Sequence, residues 1–132
     1  LFSDVIDNIR YTRIASSTIH GHGLFCITDL EAGLAIAELD GQVVPWSLHE
    51  TQHLTSEWNA LPGNRLLVRP YKTRYFYINH ARTPNLKLER LGDDRIRIVT
   101  LRFIREGEEL TLDYRSEPLP DDYLSGHGAT YL

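Results

Sequence analysis

Apolar and polar positions alternate in short bursts along this chain of 132 residues. Arg10 to Ala15 alternates with the period of a strand; Ser16-Ser17-Thr18, with Gly21 and Gly23 behind it, then turns the chain into the apolar run Leu24 to Ile27. Asp29 to Gly33 reads as a turn, Leu34 to Leu39 as a strand, and Asp40-Gly41 as a hairpin connection into Gln42-Val43-Val44. Leu66 to Val68 and Tyr75 to Ile78 are further strands, separated by the loop Arg69 to Arg74. Asn85 to Arg90 and Arg95 to Phe103 flank Leu91-Gly92-Asp93-Asp94, a hairpin loop, and Ile96, Ile98 and Thr100 alternate with Arg95, Arg97 and Val99 as one buried face. Arg105-Glu106-Gly107 turns the chain into a last strand, Leu110 to Tyr114.

Pro45 to Ala60 breaks this rhythm. Pro45 and Ser47 can start a helix, Trp46, Leu54, Trp58 and Leu61 recur at loose helical spacing, and Pro62-Gly63 ends it, which predicts a helical insert over about 46–61. The segment 115–132 is rich in proline and glycine and reads as an irregular tail. No repeat or linker divides the chain, so 1–132 is expected to form a single, mainly β domain with several small sheets and a core over about 13–114.

Charge and cysteine content narrow the partners. Fourteen basic against eighteen acidic residues, a net charge of −4, exclude the electrostatic footprint of general nucleic-acid binding and favour a basic partner. From Glu106 to Asp122 the acids Glu106, Glu108, Glu109, Asp113, Glu117, Asp121 and Asp122 meet one base, Arg115; this is either a solvated surface or a groove for a basic peptide. Cys26 stands alone, so neither a disulfide nor a four-thiolate zinc site can form within the chain, and its apolar neighbours mark it as a buried structural thiol. His20 and His22 have no nearby acid or thiol to complete a metal site, and no metal is expected. No stretch has the length and apolarity of a membrane span or the pattern of a leader, so a soluble, intracellular protein is expected, with the nucleus among its open locations. The absence of Met, even at position 1, points to an excised domain or a processed chain.

Three segments carry the chemistry. They are Ile19-His20-Gly21-His22-Gly23-Leu24-Phe25-Cys26; Ile78-Asn79-His80 with Pro84-Asn85; and Gly107-Glu108-Glu109-Leu110-Thr111-Leu112-Asp113-Tyr114. In this order and spacing they resemble the signature blocks of SET domains, which transfer methyl groups from S-adenosylmethionine to protein lysines; the first block is similar to the trithorax type. The middle block departs from the family's usual NHSCxPN in reading Asn79-His80-Ala81-Arg82-Thr83-Pro84-Asn85, and the cysteine-rich zinc segment that often follows the last block is missing.

The resemblance implies a β-clip fold with a knot-like crossing of the second and third blocks, a lysine-containing basic protein or peptide as substrate, histone among the candidates, and S-adenosylmethionine as cofactor. It implies Tyr114 as the catalytic tyrosine, where its residue type alone suggests only a packed strand tyrosine. Gly21, His22, Gly23 and Leu24 would present backbone to the cofactor, since glycine allows a close approach that a Cβ obstructs. Asn79 supplies an amide that donates and accepts, suited to a zwitterionic ligand, and His80 matches a position whose main chain meets the adenine. Tyr75 and Tyr77 are candidates for the lysine channel or for ordinary core packing, and Tyr123 for covering the cofactor. Pro84-Asn85 would fix the crossing. Glu108 and Glu109 point to opposite faces and are not expected to share a function. Two other readings compete: a SET-like module that binds a peptide or partner with weak or no turnover, and a small β domain that serves only in assembly.

Overall fold

The computed structural model describes residues 5–48 and 57–118. Among the described residues ten strands make four small sheets, as the short bursts of alternation require. β1 (Thr12–Ser16) and β2 (His22–Cys26) form an antiparallel hairpin in which Ser16 faces His22. β3 (Ala35–Leu39), β8 (Leu86–Arg90) and β9 (Ile96–Thr100) make an antiparallel sheet in the order β3-β9-β8. β4 (Gln42–Pro45), β5 (Glu57–Leu61) and β6 (Arg65–Arg69) make another in the order β4-β6-β5. β7 (Asn79–His80) and β10 (Thr111–Leu112) run parallel, pairing Asn79 with Thr111 and Leu112 with His80. Two 3₁₀ turns, η1 (Arg74–Tyr77) and η2 (Tyr114–Ser116), precede β7 and follow β10.

The three sequence blocks are brought together by backbone bonds. Leu110 N–H donates to Leu24 C=O at 2.7 Å and Gly107 N–H to Cys26 C=O at 2.9 Å, so the third block lies along the free edge of β2. The β7–β10 pair then joins the second block to the third, and Ala81 N–H donates to Leu112 C=O at 2.9 Å beyond it. Asn85, 4% exposed, secures the junction: its Nδ2 donates to Glu109 C=O at 2.8 Å and its Oδ1 accepts from Thr111 N–H at 2.9 Å. One core underlies all four sheets, with Leu24, Leu30, Ile36, Leu67, Ile78, Leu86, Ile98, Ile104, Leu110 and Leu112 buried in it. Cys26 is buried there too; its thiol donates to Arg105 C=O at 2.9 Å, and burial raises its pKa.

Three local expectations are corrected. The insert over 46–61 is helical at 46–48, but 57–61 is the strand β5, and 49–56 lie outside the described residues. Pairing overrides helical spacing here, because β5 places Glu57 opposite Arg69 in a buried ion pair and sets the Trp58 ring edge-on to Trp46 at 5.4 Å. Pro62-Gly63 is consequently a hairpin turn rather than a helix stop. Asp40-Gly41 does not close a hairpin either: β3 pairs with β9 and β4 with β6, so the turn carries the chain between sheets. Gly41 is needed there because its φ is +152° and a Cβ would stand 2.6 Å from the Val68 carbonyl oxygen. Finally, Tyr75 to Tyr77 belong to η1 instead of a strand. The Thr73 hydroxyl caps that turn, accepting from Tyr75 N–H at 3.2 Å.

Candidate active site

A cleft of about 490 Å³ opens where the three blocks meet, lined by Ile19, His20, Gly21, His22, Phe76, Tyr77, Asn79, His80 and Tyr114. Its volume falls in the usual range for small-molecule sites, roughly 300 to 1,000 Å³. The β1–β2 loop forms one wall. Ser17 N–H donates to Gly21 C=O at 2.8 Å, and Gly21 takes φ +44° with open space where a Cβ would lie. Gly21 is thus a conformational requirement on the cleft side.

Gly23 is glycine for another reason. A Cβ on it would stand 2.2 Å from Glu109 Oε2, inside the carboxylate. Glu109 turns inward beneath the loop, accepting from the Ser17 hydroxyl at 2.7 and 2.8 Å and from Asn79 Nδ2 at 2.8 Å. Asn79 Nδ2 also lies 3.2 Å from His20 C=O and 3.3 Å from His22 C=O. The amide therefore pins the glycine loop from below. Leu24 is fully buried, and its carbonyl is taken by Leu110, so the wall is presented by residues 19–22.

His80 and Tyr114 make the opposite corner. Tyr114 N–H donates to His80 Nδ1 at 3.0 Å, so a neutral His80 carries its proton on Nε2. That buried Nε2 has no hydrogen-bond partner among the described residues. The Tyr114 hydroxyl donates to Ile78 C=O, and the two rings lie 5.1 Å apart. Asp113 caps η2 by accepting from Arg115 N–H, and the Arg115 guanidinium beside it holds its carboxyl below the usual range.

A family model described as the SET domain matches residues 21–115, nearly the whole span that builds this cleft. The chain belongs to the SET domain family. It is 31% identical over 127 residues to the histone-lysine N-methyltransferase trithorax of Drosophila virilis, covering 86% of this chain and 3% of that protein. It is 30% identical over 127 residues to the histone-lysine N-methyltransferase set-2 of Caenorhabditis elegans, covering 87% of this chain and 8% of that protein. With human histone-lysine N-methyltransferase 2B it shares 30% identity over 112 residues, 75% of this chain and 4% of the relative. The SET domain thus spans a small part of these much longer proteins.

The two channel tyrosines separate. Successive residues of a 3₁₀ turn are about 120° apart, so positions two apart cannot share a face. Tyr77 lines the cleft, while Tyr75 is buried behind it with its pKa raised by burial and Phe76 is 52% exposed at the rim. Tyr123 lies outside the described residues. Among the described residues no cluster of three His, Cys, Asp or Glu side chains could hold a metal ion.

Among the described residues the acidic run does not form one groove, and Asp121 and Asp122 lie outside them. Glu108 pairs with Arg102, Glu109 turns inward, Asp113 meets Arg115, and Glu117 bonds the Asn59 side chain. The sequence reading missed Ser17, Ile19, Phe76 and the inward role of Glu109. For Glu109 the signal was present: Leu110 belongs to the core, so its neighbour had to face away from it, toward the loop.

Proposed function

We propose that this SET domain transfers methyl groups from S-adenosylmethionine to a lysine side chain of a basic protein, with histone the favoured substrate and the nucleus its place of action. The observation that carries this reading is the single cleft in which the glycine loop, Asn79-His80 and Tyr114 face one another. The residues suit the cofactor: backbone groups and an amide lie at one end, and an unpartnered buried imidazole Nε2 lies in the same wall. When bound, the cofactor supplies an electrophilic methyl group on a sulfonium, whose sulfur keeps the bonding electron pair as the new N–C bond forms.

The protein's own work is orientation and desolvation. A free lysine amine has a pKa of about 10.4 and is almost wholly protonated at neutral pH. Tyr77, Phe76 and Tyr114 offer apolar ring surface that disfavours the ammonium form, and the ammonium proton leaves to solvent before attack, which frees the nitrogen lone pair. The Tyr114 hydroxyl spends its hydrogen on Ile78 C=O, so toward an amine N–H its oxygen would act as an acceptor. Hydrogen bonds at both ends of this tyrosine, from its N–H to the His80 ring and from its hydroxyl to Ile78 C=O, fix its position in advance. The test is incubation with labelled S-adenosylmethionine and a panel of basic proteins, read by mass spectrometry. Lysine methylation that Tyr114→Phe slows about 100- to 1000-fold is the expected result. Cofactor binding with no methylation of any substrate would favour the peptide-binding module, and no cofactor binding would refute the reading.

A further inference from the structure

The turn that carries Tyr114 is held at its far end by a half-buried carboxyl that methyl transfer does not use. Glu117 N–H donates to Tyr114 C=O at 3.2 Å, closing η2. Its side chain then reaches β5, the outer strand of its sheet, where Oε1 accepts from Asn59 Nδ2 at 2.9 Å and from Ala60 N–H at 3.3 Å. Ala60 is 2% exposed and Asn59 is fully buried, so without Glu117 the Ala60 N–H would be enclosed without this acceptor and the Asn59 amide would lose one of its partners.

Among the described residues the surroundings offer this carboxyl little charge. On β6, Arg69 is committed elsewhere: it bonds Glu57 of β5, Asp40 C=O at 3.0 Å and the Asn59 side-chain oxygen. Asn59 therefore relays between Arg69 and Glu117 as a neutral amide. From η1 the buried Tyr75 faces both Glu117 and Tyr114. On the turn itself, Arg115 is paired with Asp113.

We propose that Glu117 is a positioning residue whose carboxyl latches the Tyr114 turn onto the edge of β5 through Asn59 and Ala60. Burial raises its pKa from 4.5 to about 7 against the opposing hydrogen bonds from Asn59 and Ala60 and the charge of Arg69. A carboxyl with a raised pKa in the closed state contributes fully below its ordinary pKa. That contribution is lost as pH rises from about 4.5 through about 7, after which both states are ionised. The proposal rests on the methyltransferase reading for its consequence, and on the latch itself for its structure.

Two measurements test it. Hydrogen exchange of residues 113–117, corrected for intrinsic rates, should show the parent opening roughly fiftyfold more at about pH 7.5 than at about pH 5. Glu117→Gln, which keeps the acceptor and cannot ionise, should remove that dependence. Equal pH dependence in both proteins would overturn the latch. In turnover assays Glu117→Ala should lower kcat about ten- to hundredfold with KM for the peptide little changed, and Glu117→Gln should restore it. An alanine variant with the parent's kcat would overturn the positioning role. A parent without turnover counts against the methyltransferase reading alone, since exchange still decides whether the latch exists.

Discussion

At the scale of single residues, the candidate site is organised by a carboxylate that touches the underside of a loop. Glu109, Ser17 and Asn79 form one hydrogen-bonded cluster beneath Gly21 and Gly23, and the absent Cβ of Gly23 makes room for it. Gly23→Ala should displace Glu109 and cost about 1 to 3 kcal/mol of stability by urea denaturation, the usual penalty for overpacking. In the Glu109→Ala background the same change should cost much less, and an equal cost in both backgrounds would separate the glycine from the cluster. The sequence named Gly21, Gly23 and Asn79 from the order of the blocks, yet could not say which glycine faced the cleft and which met the protein. That distinction depends on Glu109, whose neighbour in space is 86 positions away in the chain.

Among the elements, short paired strands were legible where one face alternated cleanly. Ile96, Ile98 and Thr100 gave β9, and the glycine-containing loop before them gave its hairpin with β8. β5 was hidden because its inward positions include Glu57 and Asn59, polar residues that are buried only because Arg69, Thr73 and Glu117 satisfy them. η1 was hidden because Tyr75-Phe76-Tyr77-Ile78 has strand composition, while the Thr73 cap that bends it is a single hydroxyl. Asn85 holds the crossing elements together through two backbone groups of the third block. Asn85→Ala should leave Glu109 C=O and Thr111 N–H enclosed without partners, each costing ~1 to 3 kcal/mol. Chemical denaturation reads the sum, and a loss under about 1 kcal/mol would mean that the junction is held by the β7–β10 pairing instead.

Across the whole molecule the fold depends on distant pairings: β3 with β9, β7 with β10, and the third block with β2. Such topologies must close large loops before their contacts form, so refolding should take roughly milliseconds to seconds in stopped-flow fluorescence, and a microsecond phase carrying the full amplitude would contradict this. The same pairings create the cleft, since none of the three blocks alone encloses one. Titration of the labelled domain with S-adenosylhomocysteine, followed by amide and side-chain NMR shifts, tests this site most directly. The account predicts saturable shifts concentrated on residues 19–22, Asn79, His80 and Tyr114. Saturable binding whose shifts fall away from that cleft, or no binding by the folded domain, would contradict it.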